Sequence, residues 1–376
     1  MRVITTIQLP SHPIAIATKP DGVLVLMRSG DGAALVCYHP DLSPKWSRLL
    51  EKPTLALEIG GDGTCIVLDA TGTTAFVNSG ESHRIDFRPM KAMQAASFSV
   101  LDDGLLVAWE HLRSGPVRRP VLERITFDGQ RTWSTTVPIG EVAFEGVVEM
   151  RADEGWITRP KKPWKPESWV SMLKNLRTSG DRLLAVYSEM PRSGIGVAYV
   201  LGLSDGVLHF VSKKGPAHEV AQLGDGAFLV GYQGYGAFET LQYDPTGRIK
   251  NRWSSYGYYL PEGRAIRVIE MKNVVPSQCH LTRLHPDGTV ERGDLLEGYY
   301  TSRPYGCRDG NIVFFRNGGM HVAHDLHIVD SLVIDHSGLE SFSSAAVSYD
   351  GHSIFCAYSR IGAERDRTHL VRVDLT

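Results

Sequence analysis

The sequence predicts an all-β chain closed into a β-propeller of four-stranded antiparallel blades, and three observations carry that reading: a long period, a repeated meander and an incomplete last repeat. Asp-Gly recurs at Asp21-Gly22, Asp62-Gly63, Asp103-Gly104, Asp225-Gly226, Asp309-Gly310 and Asp350-Gly351, with gaps of 41, 41, 122, 84 and 41 residues. A ruler of about 41 residues fits every gap, and a turn dipeptide followed by an apolar run at that period is the pattern of one blade per repeat. A length of 376 residues would otherwise suggest two or three domains. The repeat overrides that prior, so residues 1–376 read as a single domain.

The third repeat displays the unit in order. Gln94 to Leu101 reads as an inner strand, Leu105 to Trp109 as the second, Val121 to Phe127 as the third and Gln130 to Val137 as the outer strand. Asp103-Gly104 and Asp128-Gly129 supply hairpin turns, because Asp and Gly accept the positive φ of a tight reversal. The first repeat copies the pattern with Ile14 to Thr18, Val23 to Met27, Leu35 to Tyr38 and Lys45-Trp46, and the fifth runs from Glu219 to Trp253.

In these repeats a Trp falls on the outer strand, within Pro44-Lys-Trp46, Arg131-Thr-Trp133 and Asn251-Arg-Trp253. Here the chain resembles the superfamily of PQQ-like and WD-like propellers, whose recurrent Trp docks one blade on the next. The regular Gly-His to Trp-Asp pairing of the WD type is absent. The quinoprotein pattern is echoed in Tyr243-Asp-Pro-Thr-Gly247 before Trp253. No single family is indicated.

The last repeat offers three strands, Ala345 to Tyr349, His352 to Ser359 and Thr368 to Asp374, while Arg2 to Leu9 is a spare strand ahead of the first repeat. Pairing the spare strand with the last one removes two exposed edges and completes the final blade. Phe144 to Pro216 fills two periods without two clean copies. Gly146 to Arg151, Arg182 to Ser188, Val197 to Leu203 and Val207 to Ser212 are expected to form the fourth blade, with an insertion at about 156–180. Eight blades follow, or seven if the poorly patterned repeat at 261–299 is absorbed.

Lys plus Arg number 40 against 42 Asp plus Glu, so no global field calls for nucleic acid or anionic lipid. No run approaches 18 apolar residues, and no membrane association is expected. The first residues are too polar for a signal peptide. Cys37, Cys65, Cys279, Cys307 and Cys356 form no C-x-x-C pair and read as reduced structural thiols, which with the missing leader favours the cytoplasm.

Function is sought where the repeat is broken. The insertion, from Trp156 through Trp164 and Trp169 to Arg177, combines three Trp with six Lys or Arg against Glu167. Its start is extended by Pro160, Pro163 and Pro166, and Pro166 to Leu176 reads as a short helix. It suits a loop folded on its own blade, a protein contact, or anion and nucleic-acid binding.

Tyr232, Tyr235, Tyr256, Tyr258, Tyr259, Tyr299, Tyr300 and Tyr305 are eight of the 14 tyrosines, accompanied by Arg264, Arg303 and Arg308. Placed on loops between second and third strands and on crossings between blades, they share one face. Tyr and Arg dominate binding hot spots. The alternative is that the tyrosines fill the central channel or cover neighbouring blades.

Glu58, Glu149, Glu219 and Glu340 recur near inner strands, with His218 beside one of them, and converging channel carboxylates could hold Ca²⁺ in outline like a calcium-dependent lactonase propeller. His321-Val-Ala-His324-Asp325-Leu-His327 gathers three imidazoles, read as the polar outward face of a third strand or as a transition-metal site. No Gly-x-Ser-x-Gly elbow, Walker loop or His-Glu-x-x-His is present.

The resulting expectation is a non-catalytic platform for another protein, without a cofactor. The docking surface comprises Trp164, Trp169, Tyr232, Tyr235, Tyr256, Tyr258, Tyr259, Arg264, Tyr299, Tyr300, Arg303 and Tyr305. The alternative is a hydrolase or lactonase with a channel metal, and a quinone or sugar binder is a third reading.

Overall fold

The computed structural model describes all residues except 53, 61–62, 70–73, 79–80, 86–92, 112–118, 138–146, 152–154, 160–169, 191–194, 213–214, 216, 235–236, 255, 263–264, 273–277, 298–303, 317–318, 334–339, 361–367 and 376. After β1 (Arg2–Leu9), sheet one contains β2 (Pro13–Lys19), β3 (Gly22–Ser29), β4 (Gly32–Tyr38) and β5 (Pro44–Leu50). Sheet two follows with β6 (Thr54–Ile59), β7 (Cys65–Asp69), β8 (Thr74–Asn78) and β9 (Glu81–Ile85), and sheet three with β10 (Met93–Leu101), β11 (Gly104–His111), β12 (Val121–Thr126) and β13 (Arg131–Thr136). A separate ribbon pairs β14 (Val147–Arg151) with β15 (Gly155–Arg159).

Sheet four holds β16 (Val170–Ser179), β17 (Arg182–Met190), β18 (Ile195–Gly202) and β19 (Leu208–Val211); sheet five, β20 (Ala217–Gln222), β21 (Phe228–Gly234), β22 (Ala237–Tyr243) and β23 (Ile249–Trp253). Sheet six holds β24 (Tyr256–Glu262), β25 (Ala265–Lys272), β26 (Gln278–Leu284) and β27 (Val290–Glu297); sheet seven, β28 (Tyr305–Gly306), β29 (Ile312–Arg316), β30 (Gly319–His324) and β31 (His327–Val333). The last sheet joins β32 (Glu340–Val347), β33 (Ser353–Arg360) and β34 (Thr368–Asp374) to β1. Among the described residues there are thus eight four-stranded antiparallel sheets. No helix among them is long and apolar enough to cross a membrane.

The chain divides into two compact units, one of Met1–Asp86, Val100–Asp102 and Gly293–Thr376, the other of Phe87–Ser99 and Asp103–Arg292. In the first unit β1 pairs with β34 from Arg2 opposite Asp374 to Leu9 opposite Thr368, the pairing expected from the incomplete last repeat. In the second unit the fourth sheet corrects the sequence reading. Its inner strand is β16, not Gly146 to Arg151, so residues 170–179 belong to a sheet and 170–176 form no helix. The reversal into β17 is Gly180-Asp181, with Gly180 at φ 56, and lies off the Asp-Gly ruler. The weakly patterned repeat at 261–299 also has a sheet of its own, sheet six.

Second strands are apolar without alternation because they are buried on both faces. In β21, Phe228, Val230 and Tyr232 pack with Leu184, Val186 and Val200 of sheet four, while Leu229 packs with Tyr259 and Leu284 of sheet six. In β3, Val23, Val25 and Met27 face Phe355 and Leu370, while Leu24 and Leu26 face Leu57 and Val67. Each such side chain removed from water stabilises the fold by about 1.5–3 kcal/mol.

The turns between third and fourth strands repeat more faithfully than the Asp-Gly marks. His39, Thr126, Asp244 and His285 each begin a reversal whose fourth residue donates its amide back to the first carbonyl at 2.9–3.0 Å. A positive φ recurs in these turns and their counterparts: 66° at Leu42, 85° at Gly129, 68° at Gly206, 87° at Gly247, 90° at Gly288 and 71° at Leu326. The geometry is a turn closed by a left-handed residue, which puts a bulge into the ladder. Asp at its base locks it: Asp244 Oδ1 accepts from the amides of Thr246 and Arg248 at 2.9 and 3.0 Å.

Each left-handed residue also has to fit its neighbour. A Cβ on Gly206 would lie 2.5 Å from the Trp133 ring, and one on Gly288 would lie 2.4 Å from Asn251. Trp133 is held there by its Nε1, which donates to the Leu203 carbonyl at 3.0 Å. Gly206→Ala is therefore expected to lose about 2–4 kcal/mol, from left-handed strain plus overpacking. Gly180→Ala, whose Cβ would meet nothing within 4 Å, should lose only the strain, about 1–2 kcal/mol. Urea unfolding of the two variants measures the difference.

Candidate functional site

Five inner strands share a local irregularity. Against their second strands, β2, β6, β16, β20 and β32 shift register by one residue, at Ile14, Leu55, Lys174, His218 and Ser343. A bulge at a fixed place re-aims the side chains that follow it. In β16 and β20 the next residues are Asn175 and Glu219, so equivalent positions of adjacent sheets bring an amide to a carboxylate.

Glu219 is fully buried, and its Oε2 accepts from Asn175 Nδ2 at 2.6 Å and from Arg177 Nη2 at 3.0 Å. Arg177 Nη1 donates to the Tyr259 carbonyl at 3.2 Å, so one guanidinium ties three consecutive inner strands. The Tyr259 hydroxyl bonds Thr240 Oγ1 at 3.0 Å, and burial holds its ionisation well above the ordinary tyrosine range. A carboxylate receiving both a charged and an amide donor is a structural anion. It is poorly placed to act as a base or to give that oxygen to a cation.

Two of the expected contact tyrosines are core residues. Tyr232 is 2% exposed in β21, its hydroxyl 3.0 Å from that of Tyr243, and Tyr259 is 3% exposed in β24. Neither can meet a partner, because each fills the space between its sheet and the next. Tyr256, Tyr258 and Tyr259 lie on an inner strand and not on a crossing, and Tyr258 is half-buried. Tyr305 is also half-buried, its ring edge-on to Phe315 at 6.0 Å. Trp164, Trp169, Tyr235, Arg264, Tyr299, Tyr300 and Arg303 lie outside the described residues, and the side chain of Tyr256 does too.

No family model matches the chain, and no curated protein matches it. Solved structures do. BamB from Moraxella catarrhalis aligns with a TM-score of 0.59 at 11% identity, over 100% of this chain and 98% of that one. The C-terminal WD40 domain of Sif2 gives 0.58 at 12%, over 99% and 98%, and a europium-containing methanol dehydrogenase gives 0.59 at 9%, over 99% and 93%. The fold is a β-propeller. At these identities the likeness concerns the fold alone.

Within this propeller the candidate channel glutamates serve separate ends. Glu58 Oε2 accepts from the Val100 amide at 2.9 Å, while the side chains of Glu149 and Glu340 lie outside the described residues. Among the described residues no group of three or more His, Cys, Asp and Glu side chains could hold a metal ion.

The His321 to His327 segment is not one strand, since Asp325 and Leu326 turn it at φ 44 and 71°. Its Nδ1 atoms reach Ser331 Oγ at 2.8 Å, Asn311 Oδ1 at 2.9 Å and Asp294 Oδ1 at 3.1 Å, three different partners. The residues that sequence reading missed are Asn175 and Arg177. Their signal was the two-residue spacing of Asn175 and Arg177, which puts both on one face of β16 beyond the bulge at Lys174, but it lay inside the stretch assigned to the insertion.

Arg177→Met should cost about 3–5 kcal/mol in urea unfolding, because it strands a buried carboxylate. Adding Glu219→Leu to it should recover part of the loss, as expected of a coupled pair. On the blade edge, the Asp21 carboxyl is held down to about 2, chiefly by a hydrogen bond from Lys45 and further by Lys19, against the opposing effect of partial burial. A depressed carboxyl stabilises the fold above its unfolded pKa of about 4 and ceases to do so as pH falls towards the folded value. Thermal melts should show wild type more stable than Asp21→Asn at pH 6, with the gap closing between about pH 4 and 2.

Proposed function

We propose that the chain is a non-catalytic platform on which another protein docks, and that the ribbon β14–β15 with the basic, Trp-bearing segment behind it is the docking element. One observation carries this reading: Val147–Arg151 and Gly155–Arg159 pair with each other and with no other strand among the described residues. Every four-stranded sheet is accounted for by blade packing. The ribbon is an addition to the repeat, and additions on a rigid scaffold are where recognition concentrates.

The reading takes the sheets as one closed ring in a single domain. Support comes from the first unit, where Thr18 Oγ1 donates to the Val347 carbonyl and Arg372 Nη1 to the Pro40 carbonyl, so that the last sheet lies against the first. Of the tyrosine surface, Tyr258 is the described residue in the second unit with side-chain surface to contribute. Cytoplasmic residence belongs to the same proposal and is supported by free thiols at Cys37, Cys65, Cys307 and Cys356. The fold itself is neutral between adaptor and enzyme, since one of its structural likenesses is a dehydrogenase.

The test replaces residues 147–159 by a short Gly-Ser linker. In quantitative purification from the native host, a stoichiometric partner should fall about tenfold or more with this variant, while the melting temperature stays within a few degrees. Undiminished recovery of the partner, or no stoichiometric partner with wild type, would overturn the proposal.

A further inference from the structure

Where sheet one meets the last sheet, in the first unit, the turn between β2 and β3 faces the turn between β32 and β33 across a cavity of about 100 Å³. Its lining includes Lys19, Pro40, Tyr349, Asp350, Phe355 and Arg372. This seam lies in a different unit from the ribbon, and its reading is independent of the platform proposal.

Two cations line the cavity with donors left over. Arg372 donates through Nε to Asp374 Oδ1 at 3.0 Å and through Nη1 to the Pro40 carbonyl at 3.0 Å, which leaves Nη2 without a partner among the described residues. Lys19 is 9% exposed, and its ammonium has one partner there, Asp21 Oδ1 at 3.1 Å, although it carries three N–H groups. Unused donors on charged groups this close to burial call for an acceptor.

Of the acceptors already present, Asp350 and Asp374 each commit one carboxylate oxygen to a hydroxyl or amide of their own sheet. Asp350 Oδ1 takes the Ser348 hydroxyl at 2.6 Å and the His352 amide at 3.1 Å, which fixes the turn. Asp374 Oδ1 also takes the Ser353 hydroxyl at 2.7 Å. Pro40 and Phe355 supply apolar wall, and Tyr349, 68% exposed, supplies an aromatic ring at the rim.

Charge selects among acceptors. Lys19, Lys45 and Arg372 balance Asp21, Asp350 and Asp374, so the empty cluster is neutral. A carboxylate, which brings one negative charge on the group that enters, is tolerable beside Asp350, and a phosphate dianion, with two charges on one centre, is not. We propose that this seam cavity binds a carboxylate, with Arg372 Nη2 and Lys19 Nζ as its donors and Tyr349 packing on the group that bears it. Guanidinium and carboxylate are matched in shape as well as charge, and the volume admits a carboxylate with a short aliphatic stem.

The carboxylate can come from an acidic peptide or from a free small acid, and the experiment separates them. The full chain is titrated with fluorescein-labelled tetraglutamate and tetraglutamine, with glutarate and inorganic phosphate as competitors. Expected is saturable binding of tetraglutamate but not tetraglutamine, displacement by glutarate ahead of phosphate, and a loss of about tenfold or more in Arg372→Gln.

Glutarate as tight as the peptide assigns a free acid, and a much tighter peptide assigns an acidic segment; both support the site. Because Arg372 also joins two sheets, Lys19→Met and Tyr349→Ala are measured alongside, with melting curves. Each should weaken binding about threefold or more, Tyr349→Ala at unchanged melting temperature and Lys19→Met, which also gives up its ion pair with Asp21, while still folded. The proposal falls if neither tetraglutamate nor glutarate saturates, if phosphate displaces better than glutarate, or if folded Lys19→Met and Tyr349→Ala both bind like wild type.

Discussion

The left-handed residue in the turn between third and fourth strands is the constraint on which sheet-to-sheet packing depends. That conformation bends the chain so that the second residue of the turn presents its carbonyl outward, towards the preceding sheet. Arg124 Nη1 takes the Leu203 carbonyl at 3.2 Å, Gln242 Nε2 takes that of Pro286 at 2.8 Å and Arg372 Nη1 takes that of Pro40 at 3.0 Å. All three donors sit on third strands. The same interaction is therefore made with three different turn sequences.

Volume is conserved across the same seam while residue type is not. A Trp or Asn on one side faces a Gly on the other at Trp133 and Gly206, and at Asn251 and Gly288; at Gly293 and Leu326 the sizes are exchanged, with a Cβ on Gly293 only 2.5 Å from that of Leu326. Leu42 and Leu326 accept a backbone cost of about 1–2 kcal/mol for a left-handed φ. Their burial, 2% and 6% exposed, offsets it. Close packing tolerates either assignment as long as the sum fits.

This seam explains what was legible in the sequence. Strands of the first, third and fifth repeats were readable because apolar runs end at turn residues, and the β1–β34 pairing followed from counting strands. The fourth sheet was misread because Ser179-Gly180-Asp181-Arg182 reverses the expected dipeptide order, which pushed β16 into the supposed insertion. Tyr232 and Tyr259 misled for another reason. A tyrosine can satisfy its hydroxyl inside the core, as Tyr243 and Thr240 allow here, so enrichment of the residue type does not report exposure. Arg177 was invisible as a tie between strands because its partners, Glu219 and the Tyr259 carbonyl, are remote in sequence.

The pairing of β1 with β34 has a consequence for how the molecule is made. Leu9 and Thr368 are partners, yet at ribosomal rates of about 5–20 residues per second the first waits on the order of tens of seconds for the second. Until then an eight-residue strand containing Val3, Ile4 and Ile7 has an open hydrogen-bonding edge and nothing to cover it. The nascent chain must keep that segment from pairing with strangers, so its need for chaperone protection should last until β34 has emerged.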